Sequence, residues 1–204
     1  MVRPREFDEV KVLEAAGAVF WAKGFEATTT RDLTECTGLT QSSIYAAFGD
    51  KRGIFLRSLQ YYLDSILLER INRLETTKSP RQAISAFFQE IVDRSLADPE
   101  HRGCMLVNAT LGATPDDPEL QRYLANETKK IERFFLRCVS AGQKTDEIPA
   151  DLSAKNHARH LLAVLLGLRV LARARPDAEL LNGLVEPALA TLGIVWPSKR
   201  RRLS

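Results

Sequence analysis

The sequence predicts an all-α protein. Apolar residues recur at three- and four-residue spacing along most of the 204-residue chain, the mark of helices with one buried face. No segment sustains apolar–polar alternation, and no Asn-Gly or Asp-Gly pair sits between two alternating runs. Thr, Ser and Asp precede the periodic stretches, and Gly or Pro follows them, as helix caps and stops require.

The elements follow in order. Val10, Leu13, Ala16 and Phe20 make one stripe in a first helix over 8–24, with Gly24 as its stop. Thr29 and Asp32 have capping-box spacing at the head of a short helix that ends at Gly38. Thr40 caps a second short helix, 41–48, and Gly49-Asp50 breaks it. A long helix over 51–76 carries the stripe Ile54, Phe55, Leu59, Leu63, Ile66 and Ile71. Pro80 opens a helix over 80–97, since proline suits a first turn. A short helix over 102–112 and a longer one over 117–141, stopped by Gly142, come next. Residues 143–151 read as loop. Helices over 152–174 and 177–193 close the chain, and Pro187 should kink the last one.

Charge alone identifies no partner. The net charge is +3, and the tail 199-KRRR-202 supplies four positive charges by itself. Residues 1–60 hold eight basic side chains (Arg3, Arg5, Lys11, Lys23, Arg31, Lys51, Arg52, Arg57) against eight acids. Nucleic-acid binding must therefore rest on local placement. Three widely spaced cysteines, Cys36, Cys104 and Cys138, form no disulfide framework and suggest a reducing compartment. The first residues lack a signal peptide's apolar core. The run 161-LLAVLLGL-168 is too short to span a bilayer. The expectation is a cytoplasmic protein with no membrane contact.

Two short helices joined by 37-TGL-39 have the size of a helix-turn-helix. Leu33, Ile44 and Phe48 fall on their inner faces, leaving Gln41, Ser42, Ser43 and Tyr45 outward. Spacing alone also fits a plain helical corner. The run 24-GFEATTTRDLTECTGLTQSSIYAAFGDK-51 closely resembles the DNA-binding domain of tetracycline-repressor-like (TetR/AcrR) transcriptional regulators. It has the Gly-aromatic start, the Ala-Thr-Thr step, the turn glycine and the Ile-Tyr-x-x-Phe close before Asp-Lys.

The resemblance implies a three-helix DNA-binding domain over 1–50, a helical ligand-binding and dimerisation domain over 51–196, and a basic tail over 197–204. It implies that Gln41, Ser42 and Ser43 reach base edges, with Arg31 nearby. Thr29, Tyr45 and Lys51 would hold phosphates, and Arg3 and Arg5 would form a minor-groove arm. The chain has Ser42 where the family often has Gly, and Ala46 where it often has His. Fewer phosphate contacts imply a gentle salt dependence, since each contributes roughly 0.9 to the log–log slope.

In the second half, Leu161, Leu162, Leu165, Leu166, Leu168 and Val170 cover more than one helix face, and Leu180, Leu181, Leu184, Val185 and Leu189 stripe the next helix. Such a helix must be covered twice. The resemblance implies a homodimer through these last two helices, on an operator of double-stranded DNA, released by a small-molecule effector. Phe87, Phe88, Ile91, Met105 and Phe134 are candidates to line an apolar effector cavity, with Asn108, Tyr123 and His160 as polar anchors. Aromatics at this spacing equally suit plain core. Cys104 beside Arg102 offers a second reading, a thiol sensor of oxidants or electrophiles, and Cys138 reads as core. His101, Cys104, Met105, His157 and His160 raise a metal-responsive reading, but no coherent ligand set is visible and no cofactor is expected. No Gly-rich phosphate loop, GxSxG, HExxH or useful carboxylate pair occurs, so the chain does not read as an enzyme. A helical protein-interaction module without DNA binding is the distant alternative.

Overall fold

The computed structural model describes residues 7–197. Arg3, Arg5 and the basic run at 199–202 lie outside them. Among the described residues every regular element is helical: α1 (Glu9–Lys23), α2 (Thr30–Thr37), α3 (Gln41–Phe48), α4 (Lys51–Tyr62), α5 (Glu69–Thr77), α6 (Pro80–Ala97), α7 (Met105–Gly112), α8 (Pro118–Lys144), α9 (Ala154–Ala174) and α10 (Ala178–Ala190). A π-helical segment, Leu63–Leu68, joins α4 to α5, so helical backbone continues from Lys51 to Thr77.

Four boundaries differ from the sequence expectation. α8 passes through Gly142 and ends two residues later. A side chain at Gly142 would place its Cβ 2.7 Å from Ile148 Cδ1, so the glycine serves a close approach and not a stop. α7 starts at Met105, three residues late, because His101 and Gly103 take positive φ values and the chain turns before Cys104 caps the helix. α9 begins at Ala154 because Ser153 is its cap, its hydroxyl accepting from Asn156 N. α10 ends at Ala190, which puts Pro187 within the last turn.

The chain divides into two compact units. The first comprises the residues up to Glu69 together with Cys104–Thr114; the second comprises Arg70–Gly103 and the residues from Pro115 onward. The sequence expectation drew its boundary at 50/51.

The first unit is built on α1 and α4, with α2, α3 and α7 packed round them. Its core is Leu13, Ala16, Phe20, Leu33, Ile44, Ile54, Phe55 and Leu59, all almost fully buried. Each such burial contributes about 1.5–3 kcal/mol. Phe20 meets Phe55 edge-on at 5.1 Å, and Phe25 covers the same ring at 5.0 Å. α7 adds Met105, Leu106 and Val107 to this core.

In the second unit α8 packs on α6 and α9, and α10 packs on α6 and α9. Phe87, Phe88, Phe134 and Phe135 are completely buried and form one aromatic cluster, with ring centroids 5.1–6.1 Å apart. Glu147, in the α8–α9 connection, accepts from Ser79 Oγ at 2.7 Å and from Arg81 N at 3.2 Å. It thereby caps α6, whose own cap residue makes no side-chain cap bond. The Ser79 hydroxyl holds the Glu147 carboxyl below its ordinary range.

Candidate nucleic-acid interface

The helix-turn-helix is assembled by caps. Thr29 Oγ1 accepts from Asp32 N at 3.1 Å while Asp32 Oδ2 accepts from Thr29 N at 2.8 Å, a complete capping box at the head of α2. Lys23 on α1 reaches Asp32 at 2.6 Å and ties α1 to α2. That bond, with two from Thr29, lowers the Asp32 carboxyl to about 2. Gly38 then turns the chain at φ 70°, a left-handed value that costs a side-chain-bearing residue and not glycine. Thr40 caps α3 by accepting from Ser43 N at 3.2 Å. Beneath the surface Leu33 and Ile44 have no exposure and fix α2 against α3.

The same geometry places the polar residues of α3. Gln41 and Ser42 are exposed, and Ser43 and Tyr45 are half-buried. The Ser42 and Ser43 hydroxyls both bond Thr40 Oγ1, at 3.0 and 2.8 Å. Tyr45 Oη lies 3.1 Å from Thr30 Oγ1, so Thr30 and Thr40, absent from the sequence candidates, orient the expected DNA set. Their signal was their position beside Thr29 and before Gln41. Arg31 pairs with Glu35 at 2.8 Å, both side chains exposed; such a pair contributes little and yields readily to a phosphate.

Lys51 is placed differently from the rest. Its ammonium donates to the carbonyls of Phe25 at 3.0 Å, Thr28 at 3.2 Å and Glu26 at 3.5 Å. It also sits 4.4 Å from the centre of the Phe25 ring. Its donors are spent on the α1–α2 connection.

The expected effector residues are divided. Cys104, Met105 and Asn108 belong to the first unit; Phe87, Phe88, Ile91, Tyr123, Phe134 and His160 belong to the second. The phenylalanines pack on one another. His160 is exposed, because the buried face of α9 runs through Ala158, Leu161, Leu165 and Leu168. Cys104 is half-buried, and Tyr62 Oη lies 3.7 Å from its sulfur. Burial pushes the Cys138 thiol up to about 12. Among the described residues no group of three or more His, Cys, Asp or Glu converges to hold a metal ion, so the metal-responsive reading has no ligand set there. Among them, too, no helix is long and apolar enough to cross a membrane.

An α2–Gly–α3 corner with capped helices and an exposed polar α3, followed by a helical second unit, defines a helix-turn-helix transcriptional regulator. The TetR family model of bacterial regulatory proteins matches residues 12–57, and the tetracycline-repressor-like C-terminal domain model matches 80–186. The chain belongs to this family and is not an enzyme. It is 35% identical to the HTH-type transcriptional regulator YezE of Bacillus subtilis, over 94% of this chain and all of that one. It is 29% identical to the HTH-type transcriptional repressor ComR of Escherichia coli, over 96% of this chain and 91% of ComR. Its fold is similar to that of a cysteine mutant of the TetR family regulator CifR complexed with 26-base-pair operator DNA: TM-score 0.82, 34% identity, 92% of this chain and 98% of that one.

Proposed function

We propose that the chain is a cytoplasmic repressor that binds a near-palindromic operator as a homodimer and leaves it when a small molecule occupies the second unit. The observation that carries this is α3: a capped, positioned helix presenting Gln41 and Ser42 on a surface that nothing in the first unit covers. Gln41, Ser42 and Ser43 read base edges in the major groove; a glutamine pairs bidentately with adenine. Thr29, Arg31 and Tyr45 hold phosphates. Lys51 we assign to holding the α1–α2 connection in place.

The homodimer is supported by the outer faces of the last two helices. Leu162, Leu166 and Val170 follow one another at four-residue spacing on α9, partly exposed, with Leu180 and Leu184 alike on α10. A second copy would cover them, and two-fold symmetry would pair two α3 helices with two half-sites. An effector changes operator affinity only insofar as it binds the two arrangements unequally. The test is selection of bound fragments from the source genome, followed by light scattering. A palindromic motif and a mass twice 22.9 kDa are expected. No enriched motif, or a stable monomer on DNA, would overturn the reading.

A second reading keeps the fold and changes the signal. The Tyr62–Cys104 contact holds a thiol at the head of α7, where oxidation would disturb the cap. Operator release by a thiol reagent that persists in Cys104→Ser removes it.

A further inference from the structure

The second unit buries two opposite charges that do not satisfy each other. Arg169 on α9 is 8% exposed and Glu127 on α8 is 4% exposed. The Arg169 guanidinium donates to Ser95 Oγ at 2.9 Å and to the Gly103 carbonyl. Its Nε has no partner, and neither has Glu127 Oε2. The other Glu127 oxygen accepts from Lys130 at 2.8 Å. Among the described residues no carboxylate pairs with Arg169.

These groups share one level of the bundle. Ser79 bonds Glu147 and Phe87 meets Phe134, so α6 and α8 run antiparallel. Ser95 lies eight residues beyond Phe87, and Glu127 lies seven before Phe134. At about 1.5 Å per residue the two reach the same height to within about 2 Å. Arg169 is bonded to Ser95 at that height.

A buried ion without a counter-ion costs several kcal/mol, and apolar side chains of similar size avoid the cost. Glu127 and Lys130 neutralise one another, which leaves the charge of Arg169 uncompensated. The open Nε–H is a donor that a carboxylate accepts well. The open Oε2 accepts only from a donor. One small molecule carrying a carboxylate and a hydroxyl satisfies both orphans and brings the level to neutrality; an amino acid would satisfy both and leave a positive charge.

We propose that the Arg169–Ser95–Glu127 level is the effector site and that the effector is a small hydroxy acid, its carboxylate on Arg169 and its hydroxyl on Glu127. The proposal rests on the reading of the chain as an effector-responsive repressor. It places the site away from the aromatic cluster, whose rings fill their own space. Gly103 immediately precedes Cys104, the cap of α7, so a ligand that draws the guanidinium off the Gly103 carbonyl acts on the chain entering the first unit.

The test follows the Arg169 Nε–H resonance by NMR on the full chain while glycolate, acetate or glycine is added at constant ionic strength with chloride. Glycolate should shift it saturably, at least tenfold more tightly than acetate, because a hydrogen bond to a buried charged group carries that much. Glu127→Gln should reduce that preference to about threefold or less while acetate binding remains. Arg169→Gln should abolish saturable binding of all three probes; Arg169→Lys, which keeps the charge and loses the planar fork, should weaken it and serves where the glutamine variant does not fold. A resonance that does not move with glycolate up to about 50 mM, or that moves no more than with chloride, overturns the proposal. Glycine binding more tightly than glycolate overturns the hydroxy-acid assignment. Operator binding is scored separately: release by another compound with Arg169 unmoved keeps the repressor and removes this site. Saturation by glycolate in a protein that binds no operator would do the reverse.

Discussion

Replacing Lys51 with methionine separates two roles that the same residue can play in a DNA-binding domain. Its ammonium makes two good bonds, to the Phe25 and Thr28 carbonyls, a weaker one to Glu26, and an approach to the Phe25 ring. Bonds from a charged donor contribute about 1.5–3 kcal/mol each when desolvated, and a cation over a ring about 0.5–1 kcal/mol at an exposed site. Lys51 is only half-buried, so a sum near the low end is appropriate. Lys51→Met should cost about 2–3 kcal/mol of unfolding free energy in the absence of DNA, much of it from carbonyls left without a donor. Chemical denaturation measures this. Operator affinity should fall because the connection that delivers Thr28, Thr29 and α2 loosens, while the log–log salt slope stays within about 0.3 of the wild type, short of one phosphate contact. A variant as stable as the wild type whose salt slope drops by about 0.9 would refute the staple and restore Lys51 as a phosphate contact.

Other outcomes test the packing and the chemistry. Gly142→Ala should destabilise by about 1–3 kcal/mol, the usual cost of overpacking, because the new methyl lands 2.7 Å from Ile148 Cδ1; Ile148→Val in the same chain should recover part of it by thermal melting. The Asp32 carboxyl is lowered to about 2 from 3.8, so its contribution is complete above pH 3.8 and is lost as the pH falls through 2. The melting-temperature gap between wild type and Asp32→Asn should therefore close between those pH values, and a constant gap would contradict the Lys23–Asp32 tie. Cys138 is buried, its thiol pushed to about 12, so a thiol reagent at pH 8 should label Cys36 and Cys104 in the native protein and reach Cys138 only on unfolding.

The first half of the fold was legible because its signals are local. Thr29, Asp32, Gly38, Thr40 and Asp50 each fix a cap or a turn within three residues, and the helices formed where those residues place them. Gly142 misled because a glycine's reason can lie elsewhere: Ile148, six residues on, needs the space. The π-helical segment at Leu63–Leu68 left no mark, since one inserted residue shifts an apolar stripe without breaking it. Lys51 has the family's residue at the family's position, and only the fold shows its ammonium turned onto three carbonyls. Arg169 and Glu127 were invisible for a related reason. A lone charge in an apolar helix reads as solvated until the neighbouring helices are in place to bury it.

The most direct measurement of the central claim is a titration of wild type and Gln41→Ala onto two labelled duplexes, one bearing the selected operator and one scrambled. The wild type should prefer the operator by about a thousandfold or more. Gln41→Ala should lose about 1–3 kcal/mol on the operator and almost nothing on the scrambled duplex. Equal binding of both duplexes by the wild type, or an equal loss on both by the variant, would contradict α3 as the element that reads DNA.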